Sequence, residues 1–499
     1  MSAVATHPET PAPAGRMSRE VLRELSRPRT PVDRLRAGAT TAAATGIGVA
    51  LLMAAAIAAV RSTEPTGSTL HYTLPDGTKV QEEILQAPGG LISFVADTGL
   101  RSGTTLAAVL LVLPFVALAL QAARVGSLAL EREAALLTLA GAAPADLRRV
   151  RVRRTASAFA LGGMLAGPAY LVAWLVLGLA PPYGSRLLPA PEPWLGLAWL
   201  GVVLALAAAG AVLGTWSSAR RGSGPLAARA RAEAPSRLHV VLPVVAAIGL
   251  FPVFAVPGLS GVLSFALLLA ELLLLLWAAG AASARRAARG TSTRPRRTRP
   301  LRVGFLHPRD PAAAVLAAAQ RAGNPRAVAA AAGVLFLCGF SFGVEAAFLA
   351  FFGTEPVDSH DVAFYVTGVA LAAAVAAVAI LVALAALALS LTDHLLGARR
   401  AVASTDALGA DTTRLVAVQA RALTATALPA MTAGIVLGGL LYGTLTLGAT
   451  VDALRWLPAS ILLVAALNAA AVVLACRVLA RALAGRVRAA AALENLRTP

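Results

Sequence analysis

The chain has 499 residues, of which 58% are hydrophobic and only 14% are charged, and its mean hydropathy is +0.73. Because water-soluble domains carry about 25% charged residues, this composition excludes an ordinary soluble protein and predicts a chain that crosses a membrane many times. The formal net charge of +19 is of a size seen in nucleic-acid-binding proteins, but the arginines are spread over several short segments between apolar stretches, so nucleic acid is not an expected partner.

Ten apolar stretches follow one another along the chain. A helix needs about 20 apolar residues to cross the hydrocarbon core of a bilayer. The stretches that reach or approach this length are 38–60, 103–123, 156–180, 194–216, 239–257, 260–283, 328–353, 364–390, 422–447 and 457–479. The fifth is the shortest and contains three prolines, so it is predicted either to cross the membrane or to dip into it.

The distribution of basic residues predicts the orientation. Cytoplasmic loops of membrane proteins are enriched in Lys and Arg, and placing both termini in the cytoplasm puts 39 of the 44 basic residues on that side. Lys79 is the only lysine, an arginine bias that is typical of GC-rich bacterial genomes. The sequence therefore predicts a multi-pass protein of a bacterial plasma membrane, in contact with its lipids.

The long outer loop, 61–102, contains the segment HYTLPDGTKVQEE. Apolar and polar residues alternate on both sides of its Pro-Asp-Gly sequence, a pattern that predicts a small β-hairpin. Such a hairpin either binds a ligand or covers the outer end of the spans, and covering is the simpler interpretation.

A polar interruption follows the second span. The segment EREAALLTLAGAAPADLRRV begins at Glu131 and predicts a short helix over 128–140 with Glu131 and Glu133 in its first turn, where the helix dipole favours acids. Gly141 suits a left-handed helix stop, and Pro144 suits the first position of a second helix that continues into the third span.

The chain repeats this arrangement. A shift of 268 residues aligns Leu139-Ala-Gly-Ala142 with Ala407-Leu-Gly-Ala410 and Arg132 with Arg400. Both halves begin inside, which predicts a parallel repeat. The predicted fold is an all-α integral membrane protein with ten transmembrane helices, arranged as two pseudo-symmetric four-helix blocks plus a central two-helix hairpin. The predicted segments are an amphipathic lead-in (1–37), the first block (38–217), a linker with the central hairpin (218–283), an Arg/Pro-rich cytoplasmic linker (284–327), the second block (328–479) and a cytoplasmic tail (480–499).

Two interpretations fit the cytoplasmic helix pairs. They either dock a soluble partner through apolar and charged side chains, or lie on lipid headgroups while their arginines fix the topology. The residues alone favour neither interpretation.

The first copy resembles the signature of FtsX-like ABC-transporter permeases, the MacB/BceB-type family, roughly R-E-[I/A]-[A/G]-x-L-x-A-[L/I]-G-A. The second copy, ARRAVASTDALGADTTRL, keeps much of this pattern but has Ala401 where the family has a glutamate. The ten-span layout is similar to BceB-type permeases, although those have a large extracellular domain between spans seven and eight, where this chain has only the short loop 354–363.

The resemblance implies two coupling helices, 128–146 and 396–413, on which a separate ATP-binding subunit dimer docks. The implied docking residues are Glu131, Arg132, Glu133, Leu136, Leu137, Gly141 and Ala142 in the first copy and Arg400, Leu408, Gly409 and Ala410 in the second. Because the second copy lacks the glutamate, the first copy is expected to provide most of the coupling.

The chain itself is not expected to be an enzyme. A P-loop needs a lysine within GxxxxGK[ST], and Lys79 lies in DGTKV with no glycine-rich loop around it. No catalytic residue, cofactor or metal site is predicted here, so ATP and Mg²⁺ are expected on the partner subunit.

Three polar residues interrupt the apolar stretches: Glu271, Glu345 and Asn468. Ionisable groups at membrane depth are costly and commonly face a cavity or a partner. They are candidates for substrate contact or proton transfer, and the alternative is a neutral packing role.

The sequence therefore predicts the permease subunit of an FtsX-like ABC transporter that exports or extracts an amphiphilic substrate such as a peptide antibiotic, lipid or lipoprotein. Two alternatives remain: a proton-coupled secondary transporter that uses Glu271 and Glu345, or a non-transporting subunit that signals to a sensor kinase or an extracytoplasmic cell-wall hydrolase.

Overall fold

The computed structural model describes residues 18–61, 64–73, 79–86, 90–179, 186–219, 236–250, 261–289, 311–323, 325–352, 359–446 and 451–496. Within these ranges, nine helices are long and apolar enough to cross a membrane. The chain is therefore a helical, multi-pass membrane protein, as its composition predicted.

The first set of elements runs from the lead-in to the fourth span. Its bounds are α1 Arg19–Ser26, α2 Pro31–Ala58, β1 Glu64–Thr73, β2 Lys79–Gln86, α3 Ser93–Ala96, α4 Thr98–Leu110, α5 Val112–Ala122, α6 Ser127–Leu139, α7 Pro144–Leu177 and α8 Pro193–Ala219. Helix α2 begins where the sequence provides a capping box between Thr30 and Asp33 with Pro31 in the first helical position, a combination that satisfies otherwise unpaired backbone N–H groups.

The predicted β-hairpin is confirmed. Strands β1 and β2 pair in antiparallel register from Glu64 opposite Gln86 to Thr73 opposite Lys79, while its predicted turn at 74–78 lies outside the described residues.

The central and second sets complete the chain. Their bounds are α9 Leu238–Leu250, α10 Gly261–Arg289, α11 Pro311–Gly323, α12 Pro325–Phe352, α13 Ser359–Gly397, α14 Arg399–Ala407, α15 Thr412–Thr446, α16 Val451–Ala482, α17 Ala484–Ala491 and a 3-10 turn at Leu493–Leu496.

The predicted fifth span corresponds to α9. At about 1.5 Å per residue its 13 residues rise about 20 Å, less than the ~30 Å of a hydrocarbon core. The rest of that predicted span, 251–257, lies outside the described residues, as does most of the predicted Arg/Pro-rich linker. Helices α9 and α10 pack against each other, and α10 packs on α12 of the second set.

The two sets repeat the same helix contacts. In the first, α2 packs on α5, α7 and α8, and α7 packs on α8; in the second, α12 packs on α13, α15 and α16, and α15 packs on α16. The lead-in helices follow the same rule, since α1 contacts α7 and α11 contacts α15.

The closest crossing is between α12 and α15. It is formed by Gly339 and Gly343 on α12 and by Gly434 and Gly438 on α15, and a methyl group on any of the four would overlap a carbonyl oxygen of the opposite helix. Glycines spaced four residues apart let membrane helices approach until their backbones touch. This crossing lies within the largest buried cluster of the molecule, which also contains Cys338 and Cys476.

The two sets meet where α5 packs on α13. At one end of this interface the Gly126 N–H donates to the Asp393 carboxylate, N to Oδ1 2.9 Å. Near the other end the rings of Phe94 and Phe364 stack with their centroids 4.5 Å apart.

Candidate functional site

The segment from Ser127 to Ala143, hereafter the first arm, comprises α6 and the turn before α7. It begins at Gly126, whose φ of 73° is left-handed and whose N–H is bound by Asp393 from the second set. A side chain at Gly126 would crowd Val32 of α2. The start of the first arm is therefore fixed against both sets of helices.

The first arm ends in the turn that the glycine predicted. Gly141 has a φ of 90°, its N–H donates to the Thr138 carbonyl at 3.0 Å, and the Ala142 N–H donates to the Leu137 carbonyl at 2.9 Å. This pair of hydrogen bonds is the Schellman arrangement, which satisfies the last carbonyls of a helix. Helix α7 then starts at Pro144 and continues unbroken to Leu177, as predicted.

The predicted position of the acids is wrong. Because α6 starts at Ser127, its first turn holds no acid, and Glu133 is paired within the chain. Its carboxylate accepts a hydrogen bond from the Arg154 guanidinium on α7 at 2.6 Å. Arg154 also donates from Nε to the Leu25 carbonyl at the end of α1, at 2.9 Å. Arg154 on α7 thus binds both Glu133 of α6 and the end of α1.

The outer surface of the first arm carries the remaining predicted docking residues. Leu139, at the tip, is 85% exposed and Leu136 is also exposed. Glu131, Arg132 and Gly141 are exposed, whereas Leu137 and Ala142 are half-buried.

The second arm, residues 399–411, has the same turn. Gly409 has a φ of 95°, its N–H donates to the Asp406 carbonyl at 2.8 Å, and the Ala410 N–H donates to the Thr405 carbonyl at 3.1 Å. Asp411 then caps α15 by accepting from the Thr413 N–H at 3.2 Å, as predicted. Leu408 at the tip is 89% exposed, Arg400 and Gly409 are exposed and Ala410 is half-buried.

The second arm is supported by apolar contact instead of an ion pair. Helix α14 packs on α17 and on the 3-10 turn after it. The fully buried Val487 and the buried Ala491 of α17 form a cluster with Leu395 and Leu415, against which Val402 of α14 packs. The C-terminal segment therefore covers the inner face of the second arm.

The missing glutamate now has a structural explanation. Under the shift of 268 residues, Glu133 aligns with Ala401 and Arg154 aligns with Ala422, which is 1% exposed in the core of the second set. Both members of the ion pair are therefore absent from the second arm, which lacks this support as a whole.

Arg154 and Asp393 were not singled out from the sequence. The repeat contains a signal that could have identified Arg154. Glu133 and Arg154 are both replaced by alanine at the aligned positions 401 and 422, as expected for two residues that form a pair. Asp393 gives no such signal, since its partner is the backbone N–H of a glycine 267 residues away.

Glu271 lines a cavity of about 260 Å³. The cavity is lined by α9, α10, α12 and α15, and its lining is apolar apart from Glu271, Ser283 and Arg286. Glu271 is 7% exposed, and its carboxylate has no hydrogen bond or ion pair within the part of the chain that the structure describes.

The other two polar candidates differ from Glu271. Glu345 is buried, and its Oε1 has no hydrogen-bond partner in the described ranges; it does not line the cavity of Glu271. Asn468 is only half-buried, and its amide donates to the Val464 carbonyl of its own helix at 3.0 Å. The structure does not bring these three residues together around one site.

A second cavity, of about 530 Å³, lies between the two sets. It is lined by α4 on one side and α13 on the other, with the stacked Phe94 and Phe364 in its wall. Its lining is almost wholly apolar, which suits a hydrocarbon tail better than a polar solute.

No family model matches this chain, and no curated protein or solved structure is similar enough to count as a match.

Proposed function

We propose that the chain is the permease subunit of an FtsX-like ABC transporter, and that its two arms receive an ATP-binding subunit dimer. In this proposal the span predicted at 239–257, of which α9 is the described part, is the tenth membrane crossing and lies between two pseudo-symmetric four-helix blocks. The repeated helix contacts of the two sets support the two-block arrangement.

The observation that carries the proposal is the pair of arms. Each is a short helix closed by a left-handed glycine, joined directly to a long membrane helix, and each presents an exposed leucine at its tip. Each arm thus has an exposed apolar side chain within two residues of its turn glycine, Leu139 or Leu408, and we interpret these two side chains as partner contacts.

The proposed mechanism transmits force through the arms. A partner dimer that closes on ATP would push both arms, and the Glu133–Arg154 pair would pass the motion from α6 to α7. The Asp393 contact with Gly126 would keep the two sets moving together. ATP and Mg²⁺ are assigned to the partner, since this chain has no P-loop lysine.

The proposed cargo is amphiphilic. The apolar cavity between α4 and α13 supports a substrate that carries a hydrocarbon part, such as a lipid, a lipoprotein or a peptide antibiotic. We place the protein in a bacterial plasma membrane with both termini and both arms in the cytoplasm, because that orientation gathers most arginines inside.

The test is co-purification with an ATP-binding subunit. Tagged chain is co-expressed with candidate ATP-binding subunits from the source genome, and Leu139→Asp is compared with Val21→Asp. Val21 is exposed on α1 at the same end of the molecule and serves as the matched control. The proposal expects Leu139→Asp to reduce recovery of the ATP-binding subunit at least tenfold and Val21→Asp to leave it unchanged. Equal recovery of the ATP-binding subunit with the unmodified chain, Leu139→Asp and Val21→Asp would contradict the proposal.

Two other functions make different predictions. A proton-coupled secondary transporter, favoured by the carboxylate of Glu271 in its cavity, would keep transporting without any ATP-binding subunit and would stop when the proton gradient collapses. A signalling subunit would bind the ATP-binding subunit and activate a sensor kinase or hydrolase with no substrate flux.

A further inference from the structure

The cavity around Glu271 combines features that select a ligand class. Glu271 lies within the apolar span Ala266–Ala288, and the nearest polar lining residues on its own helix are Ser283 and Arg286. At about 1.5 Å per residue these lie roughly 18 and 22 Å further along α10. Arg286 is therefore too distant to neutralise the carboxylate.

Aromatic rings complete the lining. Phe336 and Phe340 of α12 lie one helical turn apart and border the same cavity. Quaternary ammonium groups are held by aromatic faces through cation–π attraction, which strengthens when the site is desolvated. A carboxylate buried in apolar surroundings also gains from a cationic partner, because an unpaired buried charge is costly.

We propose that this cavity binds a lipophilic monocation, such as a quaternary ammonium group attached to an apolar body. The carboxylate of Glu271 neutralises the charge, the two phenylalanines contact the ammonium group, and the apolar walls contact the body. A volume of about 260 Å³ suits a ligand or ligand fragment of modest size. The inference rests on the proposed function and deepens it by giving the transporter a second binding site, separate from the apolar cavity between α4 and α13, for cargo that carries a positive charge.

The full-length chain, purified in lipid nanodiscs without an ATP-binding subunit, is titrated with tritiated benzyltrimethylammonium. Neopentylbenzene is the uncharged competitor, since it replaces the nitrogen by carbon and keeps the shape. We expect saturable binding that the uncharged compound does not displace. An absence of saturable binding, or equal competition by the neutral compound, would overturn the inference, and both results are obtained on the unmodified protein.

Two variants then test which carboxylate binds the cation. Glu271→Gln should bind the cation at least tenfold more weakly, whereas Glu345→Gln, the matched buried carboxylate outside the cavity, should stay within twofold of the unmodified chain. Unchanged binding by Glu271→Gln overturns the inference. The binding assay contains no ATP-binding subunit, so its result does not depend on whether that subunit docks on the chain. Cation binding without docking of the ATP-binding subunit would refute only the proposed function. Docking without cation binding would refute only this inference.

Discussion

The two arms have the same shape but different supports. In the first, an ion pair between Glu133 and Arg154 joins α6 to α7, and Arg154 also binds the end of α1. In the second, α14 rests on the apolar face of α17. Both arms have a left-handed glycine turn and an exposed leucine at the tip, whereas the contacts that support the two arms differ. The comparison teaches that one position of the repeat can have different roles in the two copies. Glu133 joins two helices in the first arm, whereas the aligned Ala401 makes no such contact and the second arm is supported by α17.

The largest effect is expected from breaking the support of the second arm. Val487→Asp places a carboxylate where the side chain is fully buried, and the unpaired charge together with the lost packing should cost about 3 kcal/mol. Hydrogen exchange should rise in residues 399–407 and stay unchanged in the first arm. Ala489→Asp, at an exposed position of the same helix, is the control. Equal exchange in the two variants would show that α17 does not support the second arm.

A smaller effect is expected at the turns, and it should be equal in the two arms. Gly141→Ala and Gly409→Ala each force a left-handed conformation on a residue with a Cβ, at a cost of about 1–2 kcal/mol. Neither methyl group would meet a neighbour within 4 Å, so the cost is conformational. Asparagine, which tolerates this conformation, should recover part of the stability in thermal unfolding. If alanine were harmless at one site only, the two turns would not be equivalent.

Removing the ion pair should affect the first arm alone. Glu133→Gln weakens a partly exposed pair, so we expect a loss of about 1 kcal/mol with faster hydrogen exchange in α6. Glu131→Gln, an exposed acid two residues earlier, should change neither quantity. A double-mutant cycle with Arg154→Met measures the coupling between the two side chains, and a coupling near zero would mean that they do not act together.

The smallest effect is expected from placing a glutamate in the second arm at the position that aligns with Glu133. Ala401→Glu introduces it at an exposed position opposite no counterpart of Arg154, so the free energy of unfolding should change by less than about 0.5 kcal/mol. A clear stabilisation would indicate a basic partner and would remove the distinction drawn between the arms.

The sequence predicted the parts of this molecule that depend on local rules. Apolar length located nine spans among the described residues. Glycine followed by proline located the first turn, and glycine followed by the capping Asp411 located the second, because helix ends obey backbone sterics. The sequence placed the start of α6 within one residue of the observed Ser127 but gave no sign that the N-cap, Gly126, is held by an aspartate distant in sequence. The acids were expected in the first turn of α6, which holds none. Local preference for acids in a first turn therefore misassigned Glu133, whose partner lies 21 residues away.

The cavity that Glu271 lines could likewise not be predicted from the sequence. The glutamate could be identified as unusual at membrane depth, but its neighbours come from four helices separated by up to about two hundred residues. Only the packing of α9, α10, α12 and α15 shows that Glu271 faces a cavity and that Glu345 does not face the same one.

The central claim is that both arms contact an ATP-binding subunit, and cysteine crosslinking tests it most directly. Single cysteines are placed at Leu139, Leu408 and, as the control, Val21; the native Cys338 and Cys476 are buried, so background labelling should be low. Each variant is mixed with the ATP-binding subunit dimer that co-purifies with the chain and is labelled with a maleimide–benzophenone reagent. The maleimide adds to the introduced cysteine, and on illumination the benzophenone inserts into a C–H bond of a neighbouring chain. The account predicts crosslinks from positions 139 and 408 and none from position 21. Crosslinking from position 21 with none from either tip would contradict it.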